Sequence, residues 1–171
     1  MRALPKNWKN YDLIQNEELK GSIRYTKLFF LQYGQIQIND TEPYKIISKF
    51  AWFNPRFEIT QNQTAVGQMR MNWKNEVSIT LPDASAQKVI SKGFFSKTYF
   101  IENQNTGERI EIKRKLNWSK LRYAYEIADS TSAHYELTCL LALHAIKNID
   151  QRRAGFIAVG VVLMNQIIFR S

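Results

Sequence analysis

The stretch Ser132–Ile149, SAHYELTCLLALHAIKNI, constrains the fold more than any other part of the chain. Between Leu137 and Ile146 it carries leucine, cysteine, alanine and isoleucine on every side of a helical wheel, not along one stripe. A helix that is apolar all round has to be enclosed by protein or placed in lipid. Its start is supplied with capping groups. Asp129, Ser130, Thr131 and Ser132 can accept from free N–H groups, and Glu136 suits the positive end of the helix dipole. Its end reads equally well, with Lys147, Asn148, Arg152 and Arg153 near the negative end and Gly155 just beyond. The pattern predicts one helix over about 132–149, and whatever encloses it has to come from the chain before it.

That preceding chain reads as short strands. After a lead-in over residues 1–18 with Pro5, Trp8 and Tyr11, which the sequence suggests as a packing arm, period-two alternation starts in Ser22–Leu31, with Ile23 and Tyr25 on one face. Gly34 reads as a turn, Ile36 and Ile38 form an apolar face, and Tyr44–Phe53 runs as a strand into Asn54-Pro55, which ends it. Arg56–Ile59 resumes the period. Met69, Met71 and Trp73 alternate, as do Val77, Ile79 and Leu81, and Pro82-Asp83 closes that run. Gln87–Lys92 and Phe94–Glu102 follow on either side of Gly93. The clearest hairpin pairs Tyr99 and Ile101 with Ile110 and Ile112 across the polar turn Asn103–Gly107. Tyr123, Tyr125 and Ile127 form the last strand before the helix.

Regular short strands with a turn every few residues indicate a sandwich or a barrel. The helix decides between them. A closed barrel of about a dozen strands has a lumen too wide for side chains alone, and an all-round apolar helix would fill it. The expected fold is mainly β: a closed antiparallel barrel of roughly ten to twelve strands around a central hydrophobic C-terminal helix. It spans 19–150, with residues 151–171 as an apolar tail.

Three phrases carry a family resemblance: FAWFNPRFEI (Phe50–Ile59), SKGFFSKTYFIENQNTGERIEIKRK (Ser91–Lys115), and RYAYEI (Arg122–Ile127) followed by the helix. In this order they resemble the tubby C-terminal-like superfamily, which includes tubby proteins, phospholipid scramblases and plant LURP-one-related proteins. The resemblance spans about residues 19–150. It implies a barrel around a central helix, working at membranes through lipid head groups, with no enzymatic site and no cofactor. Tubby proteins hold phosphoinositides with basic residues on adjacent strand positions, and the best match here is Lys113, Arg114 and Lys115. The acidic calcium-binding segment and the cysteine clusters of scramblases have no counterpart, since only Glu126 and Asp129 lie near the helix and the chain has a single cysteine. Calcium-triggered scrambling is therefore not expected.

Charge points the same way. The chain has 24 Lys and Arg against 15 Asp and Glu, a net charge of +9, which favours anionic partners without selecting among them. From Lys88 to Arg122 nine Lys or Arg stand against Glu102, Glu108 and Glu111, so six of the nine net charges lie there. If Ile110 and Ile112 face the core, Arg109, Glu111, Lys113 and Lys115 face solvent together, because strand side chains alternate. The candidate anionic-lipid site is Arg109, Lys113, Arg114, Lys115, Lys120 and Arg122. An ordinary solvated strand face is the competing reading.

The tail leaves three readings open. Ala154–Phe169, AGFIAVGVVLMNQIIF, is short of the roughly 20 residues a bilayer span needs, and Asn165-Gln166 weakens it further. It packs on the barrel, inserts into membrane, or forms a homodimer contact. No secretory signal opens the chain, so the expected location is cytoplasmic, peripheral at the inner membrane face. Chemistry is not in view. Cys139 reads as a small buried hydrophobe and His144 as a hydrogen-bonding group inside the barrel, not a metal ligand. Asp83 reads as a turn former, and the aromatic residues occupy strand periods suited to core packing. No metal, nucleotide or nucleophile motif is present, so the expected class is non-enzymatic, with a soluble interaction scaffold or a nucleic-acid binder as alternatives.

Overall fold

The computed structural model describes residues 1–7, 10–28, 31–49, 54–82, 86–93, 96–117, 122–130 and 134–168, and among these the side chains of 27, 28, 31, 32, 117, 122 and 158–168 are not described. Twelve strands precede one helix: β1 (Arg2–Pro5), β2 (Tyr11–Gln15), β3 (Glu18–Leu28), β4 (Leu31–Gln37), β5 (Tyr44–Lys49), β6 (Arg56–Gln61), β7 (Thr64–Met71), β8 (Val77–Thr80), β9 (Gln87–Ser91), β10 (Thr98–Asn103), β11 (Arg109–Asn117), β12 (Arg122–Ile127) and α1 (Tyr135–Ile168). Each strand pairs antiparallel with its sequence neighbours, and β1 closes the ring by pairing with both β12 and β2. The fold is a closed up-and-down barrel around a helix.

The strands build the wall by strict alternation. In β8, Val77 and Ile79 are buried while Ser78 and Thr80 are exposed. Tyr99 lies opposite Ile112 and Ile101 opposite Ile110, all four inward, as the hairpin pattern predicts. Inside, Leu137 to Ile146 of α1 are buried on all sides. The portion Tyr135–Asp150, about 24 Å long at the helical rise, fills the lumen that twelve strands leave. It comes closest to β3. A Cβ added at Gly21 would lie 3.0 Å from Leu140 Cδ1 and 2.9 Å from the Gln37 carbonyl oxygen, so glycine there makes room for the helix.

The structure corrects the sequence reading in several places. Residues 1–18 are not a separate arm, because β1 and β2 complete the barrel wall: Ala3 and Leu13 are fully buried opposite one another. A four-residue strand is too short to show a period, which is why the pattern was silent there. Gly34 is not a turn but lies within β4; a Cβ at that position would press on Ile46 and Tyr25 at 3.3–3.4 Å. Trp73 does not continue the inward face of Met69 and Met71, since β7 ends at Met71. Residues 50–53 of the expected Tyr44–Phe53 strand, residues 94–95, and the cap residues Thr131 and Ser132 lie outside the described residues.

The largest correction concerns the helix end. Gly155 does not stop α1, which continues to Ile168. The apolar tail is therefore not a separate segment but the second half of the barrel's own helix. A Cβ at Gly155 would meet nothing within 4 Å, so no neighbour there forces the backbone to turn. The barrel has two mouths. Helix α1 begins at the lower mouth, beside Asp129, and leaves through the upper mouth, beside the β7–β8 turn.

Candidate functional site

The predicted basic strand is β11, and its side chains divide as alternation requires. Arg109, Glu111, Lys113 and Lys115 face outward. Each cation there has a carboxylate. Arg109 pairs with Glu102 at 3.0 Å, Lys113 with Glu111 at 2.8 Å, and Lys115 with Glu126 across the β11–β12 ladder at 2.7 Å. The hydrogen bond from Lys115 holds the Glu126 carboxyl below the usual carboxylate range, and the bond to Glu111 raises the Lys113 ammonium. The outer face of β11 is a charge-alternating wall, not a bare cationic patch.

Arg114 departs from the predicted cluster. It follows Ile110 and Ile112 on the inward period and points into the upper mouth, where it meets the helix. Its Nη1 donates to Asp150 Oδ2 at 2.6 Å, and the Tyr99 hydroxyl donates to Asp150 Oδ1, also at 2.6 Å. The Arg114 guanidinium lies 4.5 Å over the Tyr123 ring. Burial, together with the bond to Asp150, raises the Tyr99 hydroxyl well above its ordinary value. Arg114 thus pins the helix where it leaves the barrel and is not available to a lipid on the wall. Its position on the inward period after two isoleucines was the sequence signal for this. Lys120 lies outside the described residues; Arg122 opens β12 opposite Asn117, and its side chain is not described.

The upper mouth carries the features that sequence reasoning missed. The β7–β8 turn is tied tightly on itself. Asn72 Nδ2 donates to Glu76 Oε2 at 2.8 Å, the Glu76 amide donates to Asn72 Oδ1 at 3.0 Å, and Asn75 takes the left-handed conformation at φ 61°. Lys88 pairs with Glu76 at 2.8 Å, and Arg152 Nη1 donates to the Asn72 carbonyl at 2.9 Å, tying turn to helix. This frame presents Trp73 at its tip, 75% exposed, with Lys74 Nζ 5.3 Å from the ring. One turn further along α1, Phe156 is 55% and Ile157 48% exposed, with the Arg152 guanidinium 5.7 Å from the Phe156 ring. The described start of the tail, Ala154–Ile157, does not pack on the barrel. The asparagines flanking Trp73-Lys74 are turn formers and were the sequence signal that the period-two run had ended.

The remaining titratable groups lie within the packing. His144 is buried; its Nδ1 shares a hydrogen bond of 3.1 Å with the Tyr25 hydroxyl, and Phe57 meets it edge-on with ring centroids 4.8 Å apart. Burial, and secondarily Lys147, lowers its pKa to about 3. Cys139 is fully buried, and burial pushes its thiol up to about 12. His134, at the lower mouth, lines a recess of about 120 Å³ with Tyr44, Gln61 and Leu137. Among the described residues no group of three or more His, Cys, Asp or Glu could hold a metal ion, and no helix is long and apolar enough to cross a membrane. Comparison with protein-family models, curated proteins and solved structures finds no match to this chain.

Proposed function

We propose that this chain is a non-enzymatic, tubby-like barrel that associates with anionic membrane surfaces through phospholipid head groups, from the cytoplasmic side. One observation carries the reading: the helix that fills the barrel continues outside it with Phe156 and Ile157 exposed beside Arg152. Exposed apolar side chains next to cations suit the boundary between head groups and acyl chains. The net charge of +9 supplies long-range attraction to an anionic surface. The tubby-like resemblance of the three sequence phrases, with a barrel around a central helix, agrees with this assignment.

The test is flotation with liposomes of graded anionic content, for the full chain and for a chain truncated after Arg153. The cut is placed there because Arg152 holds the β7–β8 turn and Arg153 is buried. Flotation should rise with anionic lipid, fall with salt and weaken on truncation. A full chain that stays with the soluble fraction at every lipid composition would leave the scaffold reading in its place.

A further inference from the structure

Membrane association leaves open which surface meets the lipid, and the outer wall of β11 was the candidate from sequence. Two features of the structure point elsewhere. The wall lysines each have a carboxylate within 3 Å, whereas the upper mouth gathers exposed aromatic and cationic groups. The connections that join the strand ends there share one composition. Asn72–Glu76 presents Trp73-Lys74, and the β9–β10 connection carries Lys92 and Lys97, both exposed. Trp73 thus stands at the mouth from which the apolar half of α1 emerges, where Phe156 and Ile157 are also exposed.

From this we infer that the barrel docks end-on, with its upper mouth against an anionic phospholipid bilayer. The inference rests on the membrane reading above and names the surface and its depth. Tryptophan is the residue best suited to the head-group level, because its large apolar ring carries one polar N–H. Lysines beside it reach lipid phosphates while their stems stay among apolar groups. Trp73, Lys74, Lys92, Phe156 and Ile157 form the contact. The described helix beyond the barrel, Ala154–Ile168, is about 22 Å long, enough to reach from the head groups into the apolar layer. The β7–β8 turn is rigidly hydrogen-bonded and braced by Arg152, so Trp73 is held outward before binding and needs little ordering.

The experiment uses the full chain with an environment-sensitive fluorophore at Trp73→Cys or, separately, at Asn105→Cys in the exposed turn of the lower mouth. Cys139 is fully buried and stays unlabelled in the folded protein. Vesicles of phosphatidylcholine and phosphatidylserine carry nitroxides on their acyl chains. The probe at 73 should shift to the blue and be quenched, and the probe at 105 should remain aqueous. Unlabelled Trp73→Ala should partition about tenfold less onto vesicles, the expected scale for withdrawing one large aromatic side chain from an apolar layer. Vesicle binding that leaves 73 aqueous and disappears on Lys113→Glu with Lys115→Glu would overturn end-on docking and keep the membrane reading. Absence of vesicle binding in every preparation would remove both. Concentration-dependent shielding of 73 without lipid would assign the mouth to a second copy of the chain. Quenching by single-stranded oligonucleotide in preference to vesicles would assign it to nucleic acid.

Discussion

The two mouths of the barrel are made by the same twelve strands and differ in almost every residue that joins them. At the lower mouth the described residues of the connecting sequences carry Glu17, Asp40, Glu42, Glu108 and Asp129, and no lysine, arginine, tryptophan, tyrosine or phenylalanine. At the upper mouth their described residues carry Lys6, Lys74, Lys92 and Lys97 against Glu76, together with the exposed Trp73. The backbone follows the same division. Asn16-Glu17 and Asn62-Gln63 both take positive φ at two successive residues, the tight hairpin closure that matches strand twist. A register shift follows each of them, in the β2–β3 and β6–β7 pairs. The described connections of the lower mouth are therefore polar and acidic, and those of the upper mouth present lysines and the exposed Trp73. Among the described residues, Leu19 is a large exposed hydrophobic near the lower mouth. Such a charge separation along the barrel axis orients the molecule, because an anionic surface attracts one mouth and repels the other.

The largest effect should come from dividing the helix itself. Leu140→Lys places an unpaired charge in the lumen, where the side chain is fully buried, and should cost on the order of 3–5 kcal/mol, enough to unfold the domain. Ile157→Lys, on the same helix beyond the upper mouth, should leave the melting temperature within a degree or two of the parent and weaken vesicle binding. Equal melting temperatures for the two variants would show that the helix is not the barrel's core.

Stability at the centre of the barrel should separate from binding at its mouth through pH. The folded His144 titrates near 3 against an ordinary value of 6.5. Its contribution is therefore intact above pH 6.5 and is lost progressively as pH falls toward 3, because the unfolded chain takes up a proton that the buried ring refuses. Urea midpoints measured between neutral pH and pH 4 should fall more steeply for the parent than for His144→Gln, which keeps an acceptor for Tyr25. Parallel profiles would mean that His144 is not held neutral.

A smaller effect sharpens the contrast between the mouths. Lys74→Glu with Lys92→Glu should reduce binding to anionic vesicles by roughly tenfold or more at low salt, at about 1 kcal/mol per lysine near the surface, and the loss should shrink as salt rises. Glu17→Gln with Asp40→Asn at the lower mouth should leave binding unchanged. The smallest effect is expected for Lys113→Glu with Lys115→Glu. Both side chains are exposed but each pairs with a carboxylate, so the reversal should lower stability by only about 1–2 kcal/mol. Binding should drop only through net charge. A loss larger than that of the upper-mouth pair would return the site to the wall of β11.

Much of this protein was determined by local sequence. Alternation placed Ile79, Ile101, Ile110 and Ile112 inward because a strand's period is two whatever lies around it. The all-round apolar run from Leu137 to Ile146 required enclosure, and with so many strands before it, enclosure meant a barrel. The sequence also carried the separation of charge, but in eleven turns and the β12–α1 link, scattered along the chain. Only the antiparallel closure of β1 onto β12 sorts those turns into two opposite mouths, since each strand reverses the direction of the last. Tertiary structure likewise decided the fate of Arg114. Its neighbours Lys113 and Lys115 differ from it by one step of the pleat, yet that step turns it from the wall to the mouth, where Asp150, 36 residues away in the chain, waits on the helix. Gly155 looked like a stop because glycine favours the end of a helix. It does not act as one, since glycine permits a turn without requiring it and no contact around Gly155 compels the chain to leave the helical path.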